Sequence, residues 1–221
     1  MGVLVRRRRV LEAGLGGLAA LAMASPAGWA ASQLATPPQG KGPFYPLQLP
    51  LDRDNDLVHN GAGAGIAQGV ILDVAGRLTD QDGRPLAGTQ IEIWQVNAFG
   101  RYHHPGDEQD LPWDPNFQGY GRTLTDTDGA YRFRTIRPVA YPGRAPHIHF
   151  ALSDARFATF YTQMYLAGAP ENDSDFLLNR VRERKLRERL IVKLEPAQAA
   201  GAELAGRFDI VLGETWLSRK P

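Results

Sequence analysis

No cysteine occurs in the 221 residues. That excludes disulfide staples, thiolate metal ligands and thiol nucleophiles together, so the chemistry of the chain rests on oxygen and nitrogen. Histidine stops at five residues. An excess of one charge is also missing, since 25 basic and 24 acidic residues leave a formal net charge of +1. Residues 1–30 hold four of the arginines and one of the acids, so without them the balance is 21 against 23, net −2. Nothing in that balance points to nucleic acid or to a membrane surface as a partner. No internal repeat is present beyond two short Asp-Gly turns, and there is no H-E-x-x-H motif. No apolar run reaches the roughly 20 residues that span a bilayer.

The chain begins with Arg6-Arg-Arg-Arg9, the apolar small-residue run Val10 to Ala24, and Ala27-Gly-Trp-Ala-Ala31. This order of basic region, hydrophobic region and small-residue zone is expected to be an export signal over residues 1–31, cut between Ala24 and Ala31. Arg7-Arg-Arg-Val-Leu11 is twin-arginine-like. The expected location is therefore periplasmic or extracellular, with no stable membrane insertion after cleavage. The remaining chain of about 190 residues can bury one core without staples.

Residues 32–69 are rich in Pro, Gly and polar residues without a sustained period, which predicts an irregular arm. Residues 70–221 are expected to form one all-β domain. Strands are predicted at Val70–Leu78, Thr89–Val96, Ala130–Ile136, His147–Ser153, Thr159–Leu166, Leu190–Leu194 and Phe208–Thr215. Asp80-Gln-Asp-Gly83 and Asp126-Thr-Asp-Gly129 carry hairpin turn chemistry. Many short strands without alternating helices argue for an antiparallel β-sandwich. One C-terminal helix is predicted from Asp173 or Ser174 to about Arg189, with Phe176, Leu177, Val181 and Leu190 on its apolar stripe.

The stretch Tyr141-Pro-Gly-Arg-Ala-Pro-His-Ile-His149 gathers a phenol, a cation and two imidazoles. On a strand, residues i and i+2 share a face, so His147 and His149 can reach one ion. Such a pair is more often an ordinary half-exposed face. Its company is what makes it a candidate: Tyr102 closes an earlier strand-like run, and Arg144 stands three residues before His147. Phenolate oxygen with imidazole nitrogen suits a hard trivalent ion such as Fe(III) better than Zn(II). Arg144 either pairs with a surface carboxylate or stabilises negative charge on a bound substrate. His103, His104 and His59 fall in loop-like segments and are expected at the surface. Trp94 and Trp113 are expected to serve packing.

The runs Gly42-Pro-Phe-Tyr-Pro46, Ile91-Glu-Ile-Trp-Gln-Val-Asn97, Gly100-Arg-Tyr102, Phe117-Gln-Gly-Tyr-Gly-Arg122, Thr125-Asp-Thr-Asp-Gly129, Tyr131-Arg-Phe-Arg-Thr135, Tyr141-Pro142, His147-Ile-His149 and Thr162-Gln163 occur in order over roughly residues 36–170. In that order they resemble the intradiol ring-cleavage dioxygenases, most of all the catalytic subunits of the protocatechuate type. The segment between Tyr141 and His147 is shorter than in the family pattern.

The resemblance implies a β-sandwich with the metal among the segments connecting its two sheets. It also implies an Fe(III) cofactor held by Tyr102, Tyr141, His147 and His149. Tyr141 would be the ligand that leaves when substrate binds, with Arg144 and Gln163 holding the ring. The implied reaction opens a catechol between its hydroxyl-bearing carbons with O2 to a muconate-type diacid. The implied partners are that catechol and O2, with a homo-oligomer or a second subunit. Two other readings of the residues are a catalytically inactive transthyretin-like binding module and a zinc hydrolase at His147 and His149.

Overall fold

The computed structural model describes residues 32–60 and 65–218. The expected export signal at 1–31 lies outside the described residues. Among the described residues, ten strands form two mixed five-stranded sheets facing one another, accompanied by two short α-helices and two 3-10 turns.

The first sheet is organised on β1 (Ile71–Asp80), which pairs antiparallel along residues 71–77 with β4 (Ala130–Ile136). On its other edge lie in succession β9 (Leu204–Arg207) and β10 (Ile210–Leu212), both parallel to it, and β8 (Leu194–Pro196) extends the sheet beyond β9. The second sheet has the order β3 (Tyr120–Leu124), β2 (Gln90–Trp94), β5 (His147–Asp154), β6 (Phe157–Leu166) and β7 (Ile191–Val192). The β-sandwich is as expected, but three pairings are parallel. The C-terminal strands return over connections too long to impose the antiparallel geometry of a hairpin.

Side-chain alternation decides what each face of the second sheet does. Ile91 and Ile93 of β2 and Ile148, Phe150 and Leu152 of β5 join the core between the sheets, where Phe150 meets Phe208 at 5.0 Å between ring centres. Trp94, Tyr120 and Ala151, on the other face, form a separate apolar cluster with Val96 and Tyr102. His147 and His149 therefore project from the outer face of this sheet.

The segment 32–60 covers part of that face and is tied down by its backbone. Gln39 N–H donates to Tyr161 O, Thr162 Oγ1 donates to Pro37 O, and Leu57 N–H donates to Arg134 O. Leu57 and Val58 are fully buried.

Three expectations need correction. The helix from 173 to 189 is instead a 3-10 turn at Pro170–Asp173, another at Leu178–Arg180, and α1 (Arg184–Glu188). The Asp175 carboxylate captures the N–H groups of Leu177 and Leu178, and the Asn179 amide captures the carbonyls of Asn172, Asp173 and Asp175. Those local bonds compete with the helical ladder. Leu178 and Leu190 are buried while Phe176 is exposed, so the buried side chains also differ from the predicted stripe. The strand expected over Phe208–Thr215 shrinks to β10, and α2 (Glu214–Leu217) follows it. The turn at Asp126–Gly129 is no hairpin, because it carries the chain from β3 in the second sheet to β4 in the first.

Candidate active site

β5 presents its two histidines with the tautomer of one set locally. His147 Nδ1 lies 2.7 Å from Ala145 O, and donation to that carbonyl leaves the Nε2 lone pair facing outward from the sheet. His147 Nε2 is 3.1 Å from His149 Nε2, which is 3.1 Å from the Tyr102 hydroxyl. The His149 ring lies flat on Trp94, 4.7 Å between centres and 8° between planes. A Cβ at Gly42, a residue with φ +74°, would fall 3.1 Å from His149 Cε1. The ring is thus seated by an indole and by a glycine whose left-handed backbone and close approach both oppose a side chain.

Tyr102 follows β2 in a loop fixed by its own N–H, which donates to Asp107 Oδ2 at 2.7 Å, and its ring stacks on Phe44 at 4.7 Å. Tyr141 lies in the link between β4 and β5 and is half-buried, with exposed Pro142 and Gly143 beside it. The Tyr102 and Tyr141 rings meet edge to face, 5.6 Å between centres and 80° between planes. Arg144 N–H donates back to Tyr141 O, which closes a tight turn and turns the arginine side chain inward. Its guanidinium donates through Nη1 to the Tyr141 hydroxyl at 3.3 Å and through Nη2 to Gln163 Oε1 at 2.6 Å and the Tyr165 hydroxyl at 3.1 Å. Gln163 Nε2 donates to Gly40 O in the arm.

All four predicted metal-site residues and both predicted ring-holding residues are thus gathered in one place. The imidazoles come from a sheet face, Tyr102 from the link between β2 and β3 of that same sheet and Tyr141 from the link between β4 and β5, so a segment joining the two sheets supplies only one of the four.

Burial is the main force on the ionisable groups. It holds His147 down to about 3 and His149 well below the usual imidazole range, with His147 as the next cause for His149. It pushes the hydroxyls of Tyr102 and Tyr141 up, and for Tyr102 the neighbouring Tyr141 adds to it. Without a cation the cluster is therefore four neutral groups with lone pairs converging. Ligands at about 2.0–2.2 Å from a shared ion sit about 3 Å from each other, which the two 3.1 Å separations match. No group of three or more His, Cys, Asp or Glu side chains is gathered among the described residues. A cation on the two imidazoles would therefore complete its protein ligands from the phenols, and the residues present fit Fe(III).

The same shifts predict acid sensitivity of the metal-free chain. A histidine depressed on folding takes up protons more readily when unfolded, so stability is full above about pH 6.5 and falls below it. Each of His147 and His149 contributes a slope of up to about 1.4 kcal/mol per pH unit. Urea midpoints of the metal-free chain should be clearly lower at pH 5 than at pH 7. Equal midpoints would show that the pair is hydrated.

A cavity of about 80 Å³ adjoins Tyr102, lined by Phe44, Pro46, Trp94, His103, Gln118 and Tyr120 among others. None of Tyr141, Arg144 or Gln163 lines it. Arg53 lines a surface groove with Gln90, Arg122 and Leu124, at the end of β2 away from Trp94. His59 is exposed and paired with Asp56 at 2.9 Å, as its loop setting suggested.

The family model described as Dioxygenase matches residues 41–214. The chain belongs to the intradiol ring-cleavage dioxygenases. It is 42% identical over 168 residues to the protocatechuate 3,4-dioxygenase beta chain of Burkholderia cepacia, covering 72% of this chain and 71% of that one. The match to catechol 1,2-dioxygenase of Candida albicans is 30% over 193 residues, or 77% of this chain and 58% of that enzyme. The dioxygenase domain of a dioxygenase and carbohydrate-binding fusion from Streptomyces sp. SirexAA-E superposes with a TM-score of 0.62 at 30% identity, over 81% of this chain and 98% of that one. The dioxygenase thus spans less than two thirds of the catechol enzyme's length.

Sequence reasoning missed two residues of the site. Tyr165 stands two after Gln163 on β6 and so shares its face, a signal that was available. Asp175, bound to Arg144, had none, because its segment read as a solvated helix.

Proposed function

We propose that this dioxygenase is a non-haem Fe(III) enzyme that opens a catechol-type ring between its hydroxyl-bearing carbons with O2, giving a muconate-type diacid. The observation that carries this is the convergence of His147 Nε2, His149 Nε2 and the Tyr102 hydroxyl at 3.1 Å, with the Tyr141 ring edge-on to Tyr102 at 5.6 Å between centres. Tyr102, Tyr141, His147 and His149 would hold the iron. When bound, Fe(III) supplies the Lewis acidity and the redox partner that let a catechol react with O2.

The chain's own residues divide the remaining work. Tyr102 is buried and clamped by Phe44 and Asp107, which suits a ligand that stays. Tyr141 is half-buried beside exposed residues, so its ring can swing out, and as the phenolate it would be when it holds the iron its oxygen could take a proton from the catechol and become a neutral phenol. Arg144 directs Nη1 to that same place, where it can stabilise an anionic ring oxygen. Gln163, fixed between Arg144 and Gly40, forms the neighbouring wall. The proposal includes export, on residues 6–31, and association with further copies or with a second subunit, as the beta-chain relative suggests.

Iron-replete protein is expected to carry about one Fe per chain, with a visible tyrosinate-to-iron band, and to take up O2 with catechols. Zinc at full occupancy without a visible band would overturn it. The exposed Pro142-Gly143 link leaves the Tyr141 side open, so the enzyme should separate catechol, carboxylated catechol and bulkier catechols by less than a few hundredfold, since a missing apolar contact is worth about 1–3 kcal/mol. Activity confined to one of them by a thousandfold would refute the open site.

The two tyrosines should behave differently. Tyr141→Phe is expected to keep most of its iron and lose turnover, whereas Tyr102→Phe should lose iron as well. Metal analysis beside oxygen uptake checks this, and equal iron loss would remove the distinction.

A further inference from the structure

We propose that Asp175 is a positioning residue for ring cleavage, acting by fixing the direction in which Arg144 presents its guanidinium. This rests on the assignment of Tyr141, Arg144 and Gln163 to the substrate side of the site. Asp175 is 1% exposed. Its Oδ2 accepts from Arg144 Nε and from Ala145 N–H, both at 2.9 Å, and its Oδ1 accepts from Leu177 and Leu178 N–H at 3.0 and 2.9 Å. Four donors from two segments thirty residues apart leave this carboxylate a single orientation.

A guanidinium is a rigid planar fork, so fixing two of its nitrogens fixes the third. Nε is held by Asp175 and Nη2 by Gln163 and Tyr165, which leaves Nη1 aimed at the Tyr141 hydroxyl. The backbone turn at Arg144 brings its side chain inward but leaves the plane of the guanidinium to be set by its side-chain partners. Asp175 is also the carboxylate that neutralises Arg144, whose side chain is 8% exposed. The turn at 175–178, remote in sequence from every candidate ligand, thus sets where positive charge stands beside the substrate.

Asp175→Asn keeps the shape but brings an amide where a donor is already present. A displacement of about 1 Å in a group of this kind costs about 100-fold in rate. The full-length iron-loaded enzyme with Asp175→Asn should show a kcat about 100-fold lower, KM for catechol within about threefold, and unchanged iron content and visible band. In an Arg144→Gln background the same change should lower kcat by less than about threefold, because there is no guanidinium left to position. A purely structural residue would give losses that multiply in the double variant, and that result, or a single variant within threefold of wild type, overturns the proposal. If Asp175→Asn does not fold, Asp175→Glu keeps the charge but moves it by one methylene and should lose about tenfold in kcat with full iron; wild-type kcat in that variant is again a refutation. A separate reading comes from the Arg144 Nε–H signal in ¹⁵N NMR of the metal-free chain, protected from solvent exchange in wild type and exposed in Asp175→Asn or, failing that, in Asp175→Glu. Should the wild type turn over no catechol, it is the assigned function that fails. This signal still decides whether Asp175 holds the guanidinium, and equal protection in wild type and variant would deny it.

Discussion

His149→Ala is expected to leave the protein folded and nearly free of iron. Loss of an outer partner of a metal ligand costs about 10–100-fold in affinity, and loss of the ligand itself should exceed that. His149 stands at the centre of the cluster, with its Nε2 3.1 Å from both His147 Nε2 and the Tyr102 hydroxyl. Trp94 on its face and Gly42 at its edge are held by the sheet and the arm, so they cannot close in to replace it. Bound iron should fall below a tenth of an equivalent, the visible band should vanish, and catechol turnover should drop to background. His59→Ala, at an exposed histidine of the arm, should change none of these. Metal analysis and spectra on both variants are the check, and an iron-replete, coloured His149→Ala protein would refute the ligand assignment.

The second large effect concerns folding. Gly76→Ala in the middle of β1 should destabilise the domain by about 3 kcal/mol or more, at the top of the range for overpacking. A Cβ there would lie 2.0 Å from the Phe208 carbonyl oxygen and 2.8 Å from the Tyr131 hydroxyl. These two groups are hydrogen-bonded to each other across the gap, where the chain passes from β9 to β10. Gly76 has no positive φ, so the requirement is for space alone. The measurement is the urea midpoint of Gly76→Ala against Gly88→Ala. At Gly88 nothing lies within 4 Å of a Cβ, so only its φ of +71° opposes a side chain. If the two variants lose equal stability, crowding at Gly76 is not the cause.

Strands with a clear alternating pattern, as in β4, or a continuous apolar run, as in β5, were legible. Ala130–Ile136 coincides with β4 to the residue, and His147–Ser153 falls one residue short of β5. β3 was not, because Gly121 interrupts its pattern where Asp54 O and Leu57 would crowd a Cβ at 2.5 Å. The two parallel pairings of β1 escaped for a different reason: partners 132 residues apart, as Leu72 from Leu204 and Leu78 from Ile210, leave no local trace. At the site, the stretch 141–149 brought forward the imidazoles, Tyr141 and Arg144, with Tyr102 as their company, while Gln163 and the division of roles followed from the resemblance. Asp175 stayed hidden because a carboxylate in a charged segment looks like a solvated one until its four donors are seen.

The arm described above has a consequence in time as well as in space. Thr162 and Gln163 bond Pro37 and Gly40 across 125 and 123 residues, and Val211 N–H donates to Thr36 Oγ1 across 175. Pairings of that range close late, because the entropy of the intervening loop must be lost first. During synthesis, a nascent chain that has only just completed β5 holds both histidines but lacks β6, the Asp175 turn and the strand that anchors the arm. The order of assembly therefore runs from scaffold to pocket, and an ion or a catechol meets a formed site only on a finished chain.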